Sequence, residues 1–161
     1  MTTRKVLIPG TFDPPTLGHM DLIRRAVAMF DAAEVVVFNN TAKQTMFTAE
    51  QRREMLAGAC AGLPAVSVGC VTDTLMAEYF AASGACAIVK GVRGVLDFDY
   101  ETQLAQISRA VNPHAETLLL PTLPEFMHIS SSMVRDMIKY KHALGAFVPP
   151  FVEEYIRRVI G

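Results

Sequence analysis

Two short stretches carry residues suited to holding phosphate. In GTFDPPTLGH (10–19) an apolar run, KVLIP (5–9), breaks at Gly10, Thr11 offers a hydroxyl and a free N–H, and His19 stands where a helical pattern begins. Unpaired N–H groups at a helix start, with the positive end of the macrodipole, attract anions, so an imidazole there can donate to a phosphate oxygen. In ISSSMVR (129–135), Ser130, Ser131 and Ser132 put hydroxyls and backbone N–H groups at a second helix start. Cations sit between them in sequence: Lys43 in NNTAK, and Lys90 and Arg93 around a glycine in VKGVRG. A flexible ammonium and a planar guanidinium draw and hold polyanions in different ways. Taken singly, each has a plainer use: His19 as a cap or core residue, Lys43 as a solvated charge, Ser130 as a helix cap.

Chemistry shared by residues 19 and 130 needs a frame that brings them together. Short aliphatic runs recur at 5–9, 34–38, 65–70, 86–90 and 116–121, of the kind buried on both faces of a parallel sheet. Helical patterns lie between: His19, Leu22, Ile23, Ala26, Val27 and Phe30 follow i, i+3, i+4 spacing, and Leu75, Met76, Tyr79 and Phe80 share a face. Thr48 with Gln51 forms a capping box for a helix over 48–58, Asp97 is placed to cap a long helix to about Val111, and Ser130 to cap 131–140. Pro149 and Pro150 open a last helix over 150–160. Alternation of this kind predicts an α/β class: a doubly wound, five-stranded parallel sheet, Rossmann-like, with C-terminal helices and its ligand at the carboxyl ends of the strands. Gly10 is expected to allow a tight turn, and Gly18 to leave room beside His19.

Composition narrows the class. A chain of 161 residues suits a single domain, 1–161, burying roughly 70% of its unfolded surface. Hydrophobic residues make up 51% and mean hydropathy is +0.27, yet no apolar run nears the ~20 residues of a membrane span. So apolar a balance favours self-association. Fifteen Lys and Arg against sixteen Asp and Glu leave a formal charge of −1 and argue against a nucleic-acid partner. The basic start MTTRKVLIPG lacks a secretory apolar region, and Cys60, Cys70 and Cys86 are odd in number, without CxxC spacing and in apolar surroundings. Reduced core cysteines and a cytoplasmic protein are expected. His114, His128 and His142 share no metal-ligand spacing.

GTFDPPTLGH resembles the T/HxGH motif of the nucleotidyltransferase superfamily, and ISSSMVR its second phosphate motif. With KQTMFTAEQR (43–52) and GVRGVLDFDYETQLA (91–105), the match narrows to the phosphopantetheine adenylyltransferase family along nearly the whole chain. The resemblance implies transfer of AMP from ATP to 4′-phosphopantetheine, giving 3′-dephospho-coenzyme A and pyrophosphate, in a cytoplasmic homohexamer using magnesium that arrives with ATP. It implies catalytic roles for His19, Lys43 and Arg93. It places ATP against Thr11, Phe12, His19, Gly91, Val92, Arg93, Glu101, Phe126, Met127, His128, Ile129 and Ser130 to Ser132, and phosphopantetheine against Thr11, Lys43, Met76 and Lys90. Lys90 stands where most members carry arginine, and Phe126 where many carry Trp or Tyr. The same fold and paired motifs also serve cytidylyltransferases and adenylyltransferases of nicotinate or nicotinamide mononucleotide, and a sensor that had lost turnover would keep the pocket.

Overall fold

The computed structural model describes residues 3–161. Five parallel strands, β1 (Lys5–Gly10), β2 (Ala32–Asn39), β3 (Val66–Thr72), β4 (Ala87–Val92) and β5 (Thr117–Pro121), form one sheet in the order β3-β2-β1-β4-β5. Helices α1 (Leu17–Met29), α2 (Ala49–Ala59), α3 (Met76–Ser83) and α4 (Val95–Val111) alternate with them. Helices α5 (Ser131–Lys139) and α6 (Pro150–Ile160) follow the last strand. The predicted α/β class and five-stranded sheet are those observed.

Burial explains where the strand pattern was clearest. Central strands β1, β2 and β4 are buried over at least half of their length, with Val6, Leu7, Ile8, Val35, Val36, Val37, Ile88 and Val89 almost fully enclosed. Edge strands β3 and β5 have only one neighbour each, and alternate between half-buried and exposed residues rather than being buried on both faces. The cysteine reading is corrected in part: Cys60 is buried, but Cys70, on edge strand β3, and Cys86, in the turn before β4, are exposed.

Local capping follows the sequence closely. Thr16 caps α1 and Thr48 caps α2, each in a reciprocal box with the residue three positions on, His19 and Gln51. Ser130 caps α5 through Met133 N–H, and Pro150 opens α6. Asp97 does not cap α4. Gly94 holds that position, and the Asp97 carboxylate instead accepts from the Arg93 N–H and guanidinium. An arginine four residues back outcompetes the helix backbone for the carboxylate.

The sheet order reverses between β1 and β4. These strands pair only at Val6 with Ala87 and Leu7 with Ile88, although β1 runs on to Gly10 and β4 to Val92. Their carboxyl ends therefore diverge and leave a crevice at the switch point, where doubly wound sheets bind ligands.

Candidate active site

The crevice is a cavity of about 420 Å³, within the ~300–1,000 Å³ usual for small-molecule sites. One wall is the end of β1 and the loop into α1, with Thr11, Phe12, Thr16, Gly18 and His19; the opposite wall is the end of β4, with Lys90, Gly91 and Arg93. Glu101 reaches it from α4, and Phe126, Ile129 and Ser130 to Ser132 close it from the chain's C-terminal third. The two phosphate-suited stretches thus share one cavity.

His19 is held in one tautomer. Its Nδ1 accepts from the Thr16 N–H at 3.0 Å, which leaves the proton of the neutral ring on Nε2. Burial, then the charges of Lys90 and Arg93, lower its pKa from 6.5 to about 4. At neutral pH His19 is therefore an uncharged Nε2–H donor with no free lone pair for nucleophilic attack. The ring packs edge-on to Phe12, with centroids 4.9 Å apart, and Phe12 itself is buried at a φ of +51°. That ring also explains Gly10: a Cβ there would lie 2.9 Å from two Phe12 ring carbons, so the glycine makes room for Phe12. At Gly18 a Cβ would make only ordinary contacts, 3.6 Å from Thr16 and 3.8 Å from Phe126, so His19 does not require that glycine.

Each cavity cation has a carboxylate partner. Lys90 Nζ lies 3.3 Å from Glu101, Arg93 2.9 Å from Asp97, and Arg25 3.3 Å from Asp21. Arg135 donates to the Asp13 carbonyl at 2.8 Å and lies 3.7 Å from its carboxylate. Arg93 holds the Asp97 carboxyl below the usual carboxylate range. An arriving polyanion competes with these carboxylates, which limits binding of smaller anions.

The serines divide their work. Ser130 Oγ accepts from Met133 N–H as the helix cap, and Ser131 Oγ donates to the Pro14 carbonyl at 2.8 Å, tying α5 to the β1 loop. That leaves the Ser132 hydroxyl and the N–H groups of Ser131 and Ser132 at the start of α5 for an anion.

Residues 7–137 match the cytidylyltransferase-like family model. Similar curated proteins include the phosphopantetheine adenylyltransferases of Wolinella succinogenes (41% identical, 96% of each chain), Symbiobacterium thermophilum (40%, covering 95% of this chain and 94% of the relative) and Caldanaerobacter subterraneus subsp. tengcongensis (40%, 94% of each). The chain belongs to the phosphopantetheine adenylyltransferase family. Some residues that resemblance to this family singled out lie outside the cavity. Lys43 is exposed on the loop after β2, Met76 opens α3 and packs with Phe80, and Val92 ends β4. Met127 is exposed, and His128 packs against Phe147 with centroids 6.3 Å apart.

Reasoning from residue types missed Asp13, Arg52, Arg135 and the Asp21–Arg25 pair. Arg52 is fully buried, donating to the carbonyls of Phe47 (3.1 Å) and Thr11 (2.9 Å) and to the Asn39 side chain (2.6 Å). Asp13 and Arg135 stood inside the quoted motifs, and their charge amid apolar neighbours was the available signal.

Proposed function

We propose that the protein transfers AMP from ATP to 4′-phosphopantetheine, giving 3′-dephospho-coenzyme A and pyrophosphate. An oxygen of the phosphopantetheine phosphate bonds to the α-phosphorus of ATP as the bond to the bridging oxygen breaks and pyrophosphate leaves. The attacking oxygen is already anionic, so no general base is required; holding two polyanions in line and stabilising the added charge is the task. The His19 Nε2–H donates to the α-phosphate, Thr11 orients the neighbouring phosphates, and Arg93 with the first turn of α5 takes the triphosphate. Phe12, Gly91, Val92, Glu101, Phe126, Met127, His128 and Ile129 complete the ATP site, with Glu101 near the ribose or base. Lys90, Lys43 and Met76 receive phosphopantetheine; Lys43 must swing in from its exposed loop.

Among the described residues no three His, Cys, Asp or Glu side chains gather to hold a metal ion. Magnesium, which the family resemblance implies, is assigned to the substrate, offsetting triphosphate charge on phosphate oxygens and water. The whole chain acts as one nucleotidyltransferase domain in the cytoplasm; among the described residues no helix is long and apolar enough to cross a membrane. Homohexamer assembly is supported by apolar side chains exposed on α4, where Val95 is 81% and Leu96 86% exposed and Phe98 and Ile107 are also exposed.

The observation that carries this reading is the shared cavity: His19 and Ser130 to Ser132, from opposite ends of the chain, face it together with Lys90 and Arg93. Incubation with ATP, magnesium and one acceptor at a time tests it. Pyrophosphate should appear with phosphopantetheine; release with nicotinate mononucleotide alone would overturn the assignment, and ATP binding without turnover would favour a sensor.

A further inference from the structure

Asp13 is 3% exposed and lies between the β1 loop and the chain after β2. Its two carboxylate oxygens accept separately, Oδ2 from the Met46 N–H and Oδ1 from the Phe47 N–H, both at 2.9 Å. Arg135, on the cavity wall, grips the same residue through its carbonyl at 2.8 Å. Each carboxylate oxygen thus holds one backbone donor, so the side chain spans two successive N–H groups. The segment 40–47, which carries Lys43, is otherwise exposed up to residue 44, and Phe47 is its buried anchor. Asp13 touches neither substrate position, yet it stands two residues from Thr11 on one side and holds the base of the Lys43 loop on the other.

We propose that Asp13 is a positioning residue that fixes the 40–47 loop in register with the phosphate-facing β1 loop, and so sets the reach of Lys43 towards the acceptor phosphate. The inference rests on the AMP-transfer reading of the cavity. Removing one acceptor from a buried N–H frees the base of the loop while leaving His19, Arg93 and the α5 turn in place. The loss therefore falls on the acceptor substrate rather than on ATP.

The test is a cycle of Asp13→Asn, Lys43→Ala and the double variant in the full chain. It reads KM for phosphopantetheine, kcat, and Kd for ATP measured without acceptor. Asp13→Asn should raise KM for phosphopantetheine about 10- to 100-fold, the effect of one unsatisfied buried donor, and change ATP Kd less than about threefold. In the Lys43→Ala background the same substitution should add less than about threefold. Equal losses for both substrates, or full additivity in the double variant, would overturn the proposal. If Lys43→Ala leaves KM for phosphopantetheine unchanged, Lys43 does not reach the acceptor phosphate and the proposal is overturned, while turnover of phosphopantetheine would leave the AMP-transfer reading standing. Total inactivity towards every acceptor in the unaltered protein would instead count against AMP transfer itself. Should Asp13→Asn not fold, amide exchange in the unaltered chain decides: Met46 and Phe47 as protected as the central strands upholds the tether, and exchange as fast as at exposed residues 41–44 overturns it.

Discussion

Replacing His19 separates its two jobs, capping α1 and donating to phosphate. In His19→Ala the Thr16 N–H loses its acceptor at 3.0 Å and Phe12 loses its edge contact, which together cost about 1–2 kcal/mol of stability. Loss of one preorganised donor at the reacting phosphate should lower kcat about 10²- to 10³-fold. His19→Gln is the sharper probe. A glutamine at this third helical position can accept from the Thr16 N–H in an ordinary capping box, as Gln51 does for Thr48, so stability should fall by less than about 0.5 kcal/mol. The rate should still collapse, because the glutamine oxygen is spent on the cap and its amide does not stand where the ring Nε2–H stood. Urea unfolding and steady-state kinetics on both variants read the two effects. A His19→Gln enzyme with unaltered kcat would refute the assignment of His19 as donor, and equal losses in kcat and ATP affinity would reduce it to a binding residue.

The pKa of about 4 at His19 gives a second handle. Between about pH 4 and pH 6.5 the unfolded imidazole binds a proton that the folded one does not, so stability present above pH 6.5 is lost on acidification, by at most about 3 kcal/mol; His19→Gln should flatten that limb of a pH–stability curve. Lys90→Arg, which keeps the charge opposite Glu101, should leave kcat/KM within about threefold, and a dead variant would show that packing rather than charge fixes the position. Gly10→Ala should destabilise the fold by about 1–3 kcal/mol by driving a Cβ into the Phe12 ring, measured by thermal unfolding. Arg52→Met should cost about 3 kcal/mol and raise KM for ATP, since it strips donors from the buried Phe47 carbonyl and from the Thr11 carbonyl; a cost under about 1 kcal/mol would show that those carbonyls find other partners.

What the sequence showed was local. The Thr48–Gln51 box, the Ser130 cap and the prolines before α6 are signals within three or four residues, and all appear as read. The sheet was legible because hydrophobic runs of strand length alternate with helical periods. Asp97 failed as a cap because a cap and a salt-bridge partner are the same residue type at a helix start, and only the nearby Arg93 decides between them. Long-range partners left no trace in spacing: Asp13 meets Arg135 across 122 residues, and Arg52 meets Thr11 across 41. Arg52 in particular reads as a surface residue on a charged helix, and its burial rests on the Thr11 carbonyl and the Asn39 side chain, 41 and 13 residues away, besides the nearby Phe47 carbonyl. Family resemblance singled out Lys43 where residue type could not, but its side chain stands outside the cavity.

The stereochemistry at the α-phosphorus tests the central claim most directly. With one diastereomer of an α-phosphorothioate analogue of ATP, direct attack by the acceptor phosphate in the shared cavity predicts inversion in the dephospho-coenzyme A formed. Retention would mean two displacements through an adenylylated side chain, and would contradict a site in which His19 only donates and the protein acts through charge and placement.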